Sequence, residues 1–382
     1  MEKIAIFGGS FDPVHTEHVR LVEAAIEGLG LDKLVVMPAF APPHKPGKEL
    51  APDCDRLELC RIAFSHLDKV EVSDYEIAQR GTSYTYLTCR HFRSLYPNAQ
   101  LFWLVGTDML RDFPTWKYPE DILSNVTLGV CARDEKDGWQ KREQAEFEQR
   151  FGKTFAVINY NGAPVSSTQV RLLLAAGLPT EGLIPQKVAE HIATKELYAI
   201  PFAPKALALE KAERAAHSVR VARLALERAK GLRLSERAVL TAALFHDCAK
   251  NLPENSPYLE GFAPLAEWGD IPPAVLHQYQ GAYVAEKQFG VCDEDVLNAI
   301  RYHTSARVGM SELEKLIFLA DMLEEERRYT GVDELRALFW DKDGLDKCLA
   351  EALYQTLLFL ESKGGEIYPL TRAAYEFYKD KR

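Results

Sequence analysis

The sequence predicts two domains in tandem: a doubly wound parallel α/β sheet over residues 1–200, then an all-α domain over residues 205–382. Three observations carry that expectation. A chain of 382 residues is long for one hydrophobic core, because a typical domain holds about 150 residues. Short β-type runs alternate with helical patterns in the first half, the mark of a parallel sheet covered by helices. In the second half apolar residues recur at three- and four-residue spacing, as in VRVARLALERA and VLTAALFHDCA, which is the helical period.

The β-type runs are Lys3–Phe7, Lys33–Pro38, Val70–Val72, Leu101–Val105, Val126–Ala132 and Thr154–Ile158. The segment AIPFAPK at 199–205 carries two prolines, which break a continuing helix and place the domain boundary there. Beyond it, turns at Gly231, Pro253, Pro272–Pro273 and Gly309 divide the chain into about seven to nine helices. No internal repeat or low-complexity tract is evident.

Composition narrows the function classes. Hydrophobic residues make up 47% and charged residues 27% of the chain, ordinary for a globular protein and unlike a disordered or rod-like one. The net charge is −10, with 22 Lys+Arg against 27 Asp+Glu up to residue 200 and 24 against 29 after it. No basic block stands out, so an extended nucleic-acid footprint is disfavoured, whereas small anionic ligands need only a few donors. Seven cysteines without a C-x-x-C spacing fit reduced thiols better than a disulfide framework or zinc ribbon. The start MEKIAIFGGSFDP has no signal-peptide pattern and no apolar run reaches membrane-spanning length. The expectation is a cytoplasmic protein with no membrane association, and a homo-oligomer is compatible with it.

The strand KIAIF runs into GGSFDPVHTEH and then into a helical pattern. A glycine turn between a first strand and a first helix is where a doubly wound sheet binds phosphate. Gly8 and Gly9 let backbone approach a polyphosphate, and His15 and His18, three apart, share a helix face. Two imidazoles at a helix start can donate charge-assisted hydrogen bonds to a phosphoryl group as its charge builds. Without this context, GG is a tight turn and the histidines are surface residues.

GGSFDPVHTEH resembles the signature of the HxGH nucleotidyltransferase superfamily. Further motifs resemble bacterial nicotinate-mononucleotide adenylyltransferases: PAFAPPHK at 38–45, Asp55–Arg56, SYTYLT at 83–88, LVGTDML at 104–110, FPTW at 113–116, CAR at 131–133 and VSSTQVR at 165–171. They occur in family order across residues 1–200, and the resemblance implies a Rossmann-like nucleotidyltransferase fold. It assigns ATP to Gly8, Gly9, Ser10, Phe11, His15, His18, Lys45, Gly106, Asp108, Ser166, Ser167, Thr168 and Arg171. It assigns nicotinate mononucleotide to Tyr84, Thr85, Trp116 and Arg133. The implied reaction is attack by the mononucleotide phosphate on the α-phosphorus of ATP, with Mg²⁺ carried by ATP and His15 and His18 catalytic. Packing readings stand beside these: Ser166 or Ser167 as a plain N-cap, Trp116 as an aromatic under a loop. Glu17 stands where the family has glycine, and an acid there either repels phosphate or points outward.

The second half holds four histidines, at 217, 246, 277 and 303, with Asp247 next to His246. Such residues, if they converge, bind neighbouring metal ions. The order His217, His246–Asp247, His277, His303, Asp321 resembles HD-domain metallophosphohydrolases. AHSVRVA, LFHDCAKNL, RYHTSA and FLADMLEEERR resemble their symmetrical diadenosine tetraphosphatases over about residues 205–360. The resemblance implies that these six residues hold a di-metal centre, with iron first and Mn, Co or Zn as alternatives. It also implies that diadenosine tetraphosphate is cleaved to two ADP. Asp247 and Lys250 are the expected catalytic residues, and Lys250 and Arg327 either neutralise the polyphosphate or are ordinary surface charge. Two other readings stay open at this level: an HD module that senses nucleotide without cleaving it, and a different acceptor for the first domain.

Overall fold

The computed structural model describes residues 1–43, 49–132, 139–160, 162–342 and 344–382. The chain forms two compact units, one of residues 1–171 with 180–198, the other of 172–179 with 199–382. The first is α/β and the second is helical.

The six strands of the first unit are β1 (Lys3–Gly9), β2 (Lys33–Pro38), β3 (Val70–Val72), β4 (Gln100–Gly106), β5 (Thr127–Ala132) and β6 (Ala156–Asn159). They form one sheet in the order β3-β2-β1-β4-β5-β6, and every pairing is parallel. Ile4, Ala5 and Ile6 of β1 have no exposed surface, as expected for a strand covered on both faces. Strand order reverses between β1 and β4, which opens a crevice at their carboxyl ends, the place where such sheets bind ligands.

The glycines that sequence reasoning set in a turn are instead the last two residues of β1, paired with Met37 and Pro38. A Cβ on Gly8 would lie 2.7 Å from the Trp103 ring, and one on Gly9 would lie 3.1 Å from Phe11. These positions are small because aromatic rings of the core cross the strand there. The loop after β1 is held by Arg56, which is fully buried. Its Nη1 donates to the Ser10 carbonyl at 2.8 Å, its Nε to the Ala51 carbonyl at 3.0 Å and its Nη2 to Asp53 at 2.7 Å. The helix Thr16–Leu29 follows and stops at Gly30, whose φ of 62° is costly for residues with a Cβ.

The described residues of the second unit include nine α-helices, from Ala203–Ala208 to Pro369–Tyr378. Small residues such as Ala222, Ala225, Ala242, Ala243 and Ala320 fill its core and let helix axes approach closely. Ser311 and Glu314 cap the helix Glu312–Leu323 reciprocally, and Asp293 caps Glu294–Arg301. The helix Glu236–Phe245 ends before the His–Asp dyad, so His246–Lys250 are turns rather than helix. The His246 ring donates through Nδ1 to the Ala243 carbonyl at 2.7 Å, and the chain tightens into bonds from Cys248 N–H to Phe245 and from Lys250 N–H to Asp247. Gly281 admits this turn: a Cβ there would stand 3.1 Å from the His246 carbonyl.

All seven cysteines are free, with Cys54 and Cys292 exposed and the other five buried. Among the described residues no helix is long and apolar enough to cross a membrane. Replacing Gly8 by Ala is expected to cost about 1–3 kcal/mol through overpacking against Trp103, measured as a lower urea midpoint for the first unit with an unchanged m-value. A midpoint equal to wild type refutes the packing explanation.

Candidate functional site

In the first unit, Gly8 and Gly9 end β1, with His15 and His18 just beyond it, and Gly106 ends β4. His15 precedes the helix Thr16–Leu29 and His18 lies in its first turn. Their rings stack with centroids 3.6 Å apart, and the edge of His18 meets Phe11 at 5.0 Å. The His15 N–H donates to His18 Nδ1 at 3.1 Å.

Gly106 closes β4 and precedes the helix Thr107–Asp112, with open space where a Cβ would be. Asp108, on that helix, has its side chain 93% exposed and lies 3.4 Å from Arg111. Ser166 accepts from the Gln169 N–H at 3.2 Å and so caps the helix Ser167–Ala176. Ser167 Oγ donates to the Pro13 carbonyl at 3.0 Å. Arg171 is 5% exposed. Its guanidinium donates to the Asp12 carbonyl and to Thr168 Oγ1, and lies 3.5 Å from the Asp12 carboxylate. Part of its charge is therefore already used to hold the loop after β1.

Tyr84 and Thr85 start the helix Thr85–Leu95. Trp116 is 7% exposed and packs on Phe113 within the apolar core. Lys117, which sequence reasoning passed over, stands 4.2 Å over the Tyr84 ring and within 6 Å of Tyr86 and Tyr118. The signal was its place beside FPTW. Lys45 and Arg133 lie outside the described residues. Glu17 does not point outward: it is 1% exposed, bound to Arg20 at 2.8 Å and to the Tyr160 hydroxyl.

In the second unit all six expected donors converge. Three overlapping sets, His217–His246–Asp247, His246–His303–Asp321 and Asp247–His277–His303, each keep their ligand atoms within 4.8 Å of one another. His246 Nε2 and Asp247 Oδ1 are buried without a hydrogen-bond partner, which is unusual for polar atoms unless an ion is to satisfy them. Nδ1 of His303 donates to the Ile300 carbonyl at 2.7 Å, as that of His246 does to Ala243. His217 Nδ1 faces Glu324 at 3.2 Å and its Nε2 faces Asp321 at 2.8 Å. These bonds turn three Nε2 atoms inward, as metal-ligating imidazoles require. The donor set fits a divalent metal centre.

Electrostatics agree. Burial lowers His246 to about 4 against the pull of Asp247, and burial with His303 and Lys250 lowers His277 to about 2. Both rings are neutral at neutral pH, with lone pairs available. Burial would raise Asp247, but His246, His303 and His277 overcome it and keep the carboxylate ionised. Three cations edge the cluster: Lys250 at 2.8 Å from His277, Arg327 at 2.5 Å from Asp321 and Arg214 at 3.1 Å from Asp247. Burial lowers Lys250 as well, opposed by Asp247 and Asp321. Arg214, Glu324 and Glu210 were missed in the sequence, although Arg214 and His217 are one helical turn apart. Burial raises Glu210 to about 8, opposed by its bond to Ser218.

A cytidylyltransferase-like family model matches residues 6–173, and an HD domain model matches residues 214–326. A Mycoplasma genitalium protein named probable nicotinate-nucleotide adenylyltransferase/Ap4A hydrolase is 31% identical over 86% of this chain and 89% of its own. The chain belongs to this adenylyltransferase/Ap4A hydrolase family. A Mycoplasma pneumoniae protein of the same name is 32% identical over 84% of this chain and 88% of its own. A Clostridium tetani protein named probable nicotinate-nucleotide adenylyltransferase is 35% identical over 52% of this chain and all of its own length. In the adenylyltransferase/Ap4A hydrolase family member described here, the HD match encloses His217 to Asp321.

Acid should expose the burial of the imidazoles. His246 falls from an ordinary 6.5 to about 4 in the folded chain, so the unfolded chain binds the proton first. Its stabilising contribution is complete above pH 6.5 and is lost as pH falls toward 4, and that of His277 is lost toward about 2. Chelator-treated protein is expected to melt at progressively lower temperature below pH 6.5, with a shallower slope in His246→Gln. Equal slopes in calorimetry would contradict a buried neutral imidazole.

Proposed function

We propose that the protein is a bifunctional cytoplasmic nucleotide enzyme. Its first unit transfers the adenylyl group of ATP to nicotinate mononucleotide, and its second hydrolyses diadenosine tetraphosphate to two ADP. The observation that carries the reading is the convergence of His217, His246, Asp247, His277, His303 and Asp321 on one buried centre, in a chain whose relatives over most of its length carry both activities in their name.

In the transfer reaction, a phosphate oxygen of nicotinate mononucleotide attacks the α-phosphorus of the ATP–Mg²⁺ complex in line. The bond from that phosphorus to the bridging oxygen breaks, pyrophosphate leaves and deamido-NAD forms. His18 stabilises the charge that grows on the α-phosphoryl oxygens, and His15, stacked on it, supports that orientation. Gly8, Gly9, Ser10, Phe11, Gly106 and Asp108 line the ATP side, and Ser166–Thr168 with Arg171 take its phosphates. Tyr84, Thr85 and Trp116 bind the acceptor. Lys45 and Arg133 belong to the same proposal by their motifs alone.

In the hydrolytic reaction, the six donors would hold two metal ions, with iron first among Fe, Mn, Co and Zn because mixed imidazole and carboxylate ligation suits them. Such ions supply Lewis-acid polarisation of a phosphoryl oxygen and a water nucleophile near neutral pH. Asp247 and Asp321 stay ionised, the His246 and His277 imidazoles stay neutral, and Lys250 and Arg327 balance the polyphosphate charge.

With ATP, Mg²⁺ and nicotinate mononucleotide, pyrophosphate release is expected, slowed about 100-fold or more in His18→Ala. An unslowed His18→Ala protein sinks the transfer mechanism. From diadenosine tetraphosphate, ADP is expected as the sole nucleotide product, lost on chelation and in Asp247→Ala, with iron found by elemental analysis. ADP formation that survives both treatments removes the metal mechanism.

A further inference from the structure

Between the paired histidines stands a buried acid with dedicated partners. Glu17 is 1% exposed and Tyr160 is 6% exposed. The Tyr160 hydroxyl donates to Glu17 Oε2 and lies 3.1 Å from the Glu17 carbonyl. The other carboxylate oxygen takes Arg20 Nη1 at 2.8 Å. A buried carboxylate is costly unless it is bonded and its charge is met, and here both oxygens are occupied. The carboxylate is thereby engaged with Tyr160 and Arg20, which answers the concern that an acid beside His18 would repel phosphate.

Tyr160 comes directly after β6, and the chain then runs to Ser166–Thr168. A Cβ on Gly162 would fall within 2.5 Å of the Tyr160 ring and hydroxyl, so the chain passes hard against this side chain. At the far end of the stretch, Ser167 Oγ reaches the Pro13 carbonyl at 3.0 Å. The segment is thus fastened twice, at Tyr160 to the histidine helix and at Ser167 to the loop before that helix.

We propose that Glu17 is a positioning residue: through Tyr160 it fixes the segment carrying Ser166–Thr168 relative to His15 and His18, and so sets the grip on the ATP phosphates. The proposal rests on the adenylyl-transfer reading. It makes glycine at this position a loss rather than a repair, because removing the carboxylate takes away the Tyr160 bond to Oε2 and leaves its longer bond to the carbonyl of position 17, which loosens the first anchor of the segment.

Steady-state kinetics on the full chain test it. Glu17→Gly and Tyr160→Phe are each expected to raise the KM for ATP about five- to tenfold, with kcat within about threefold and the KM for nicotinate mononucleotide unchanged. Glu17→Gln keeps an acceptor for Tyr160 and is expected to restore the ATP KM. The double variant Glu17→Gly/Tyr160→Phe should be no worse than the weaker single, because both remove one interaction. Tyr160→Phe removes only an oxygen and serves alone if Glu17→Gly does not fold. Active wild type with an unchanged ATP KM in Tyr160→Phe, or additive losses in the double variant, overturns the proposal and leaves adenylyl transfer standing. Wild type that releases no pyrophosphate overturns the adenylyl-transfer reading and the proposal together.

Discussion

Burying the Asp247 carboxylate is the constraint around which the second unit is organised. A charge taken out of water needs compensation close at hand. Here His277 and His303 approach one oxygen at 3.4 Å, and Arg214 approaches the other at 3.1 Å. Those groups come from separate segments, so the helices must meet at small residues, and the alanine-rich core and Gly281 allow it. Second partners such as Glu324 and the Ala243 and Ile300 carbonyls turn the rings toward the same point.

The first unit solves a related problem without a cluster of carboxylates. In the transfer reaction proposed above, phosphate charge is met at a topological reversal in the sheet, where β1 and β4 part and loops rather than side-chain networks form the crevice. Arg56, Asp12 and Arg171 are spent chiefly on fixing those loops. On that proposal a chain with a net charge of −10 handles polyphosphates through a few placed cations and imidazoles, and its overall charge says little about its ligands.

Much of this was legible in the residues. All six strands were visible as β-type runs, because parallel strands buried on both faces are continuously apolar, as LVVM and LFWLV are. The six donors were readable through their resemblance to the HD-domain pattern. What the sequence hid was direction. Whether Glu17 turned to solvent or inward depended on Tyr160, more than a hundred positions away in the chain. Gly8 and Gly9 read as a turn because the Trp103 and Phe11 rings that require them are tertiary neighbours. The helical period carried no sign that the chain would tighten at His246, since its ring bond to Ala243 is a side-chain effect. Arg214 and Lys117 were passed over because the partners that give them a place, Asp247 and Tyr84, are tertiary neighbours.

The distribution of thiols has a practical consequence. Five cysteines are buried, and burial raises Cys60, Cys89, Cys248 and Cys348 above the ordinary thiol range, so they react slowly. The exposed pair is Cys54 in the first unit and Cys292 in the second. The chain therefore offers one attachment point for a spectroscopic label on each unit, and either unit can be labelled without introducing a cysteine.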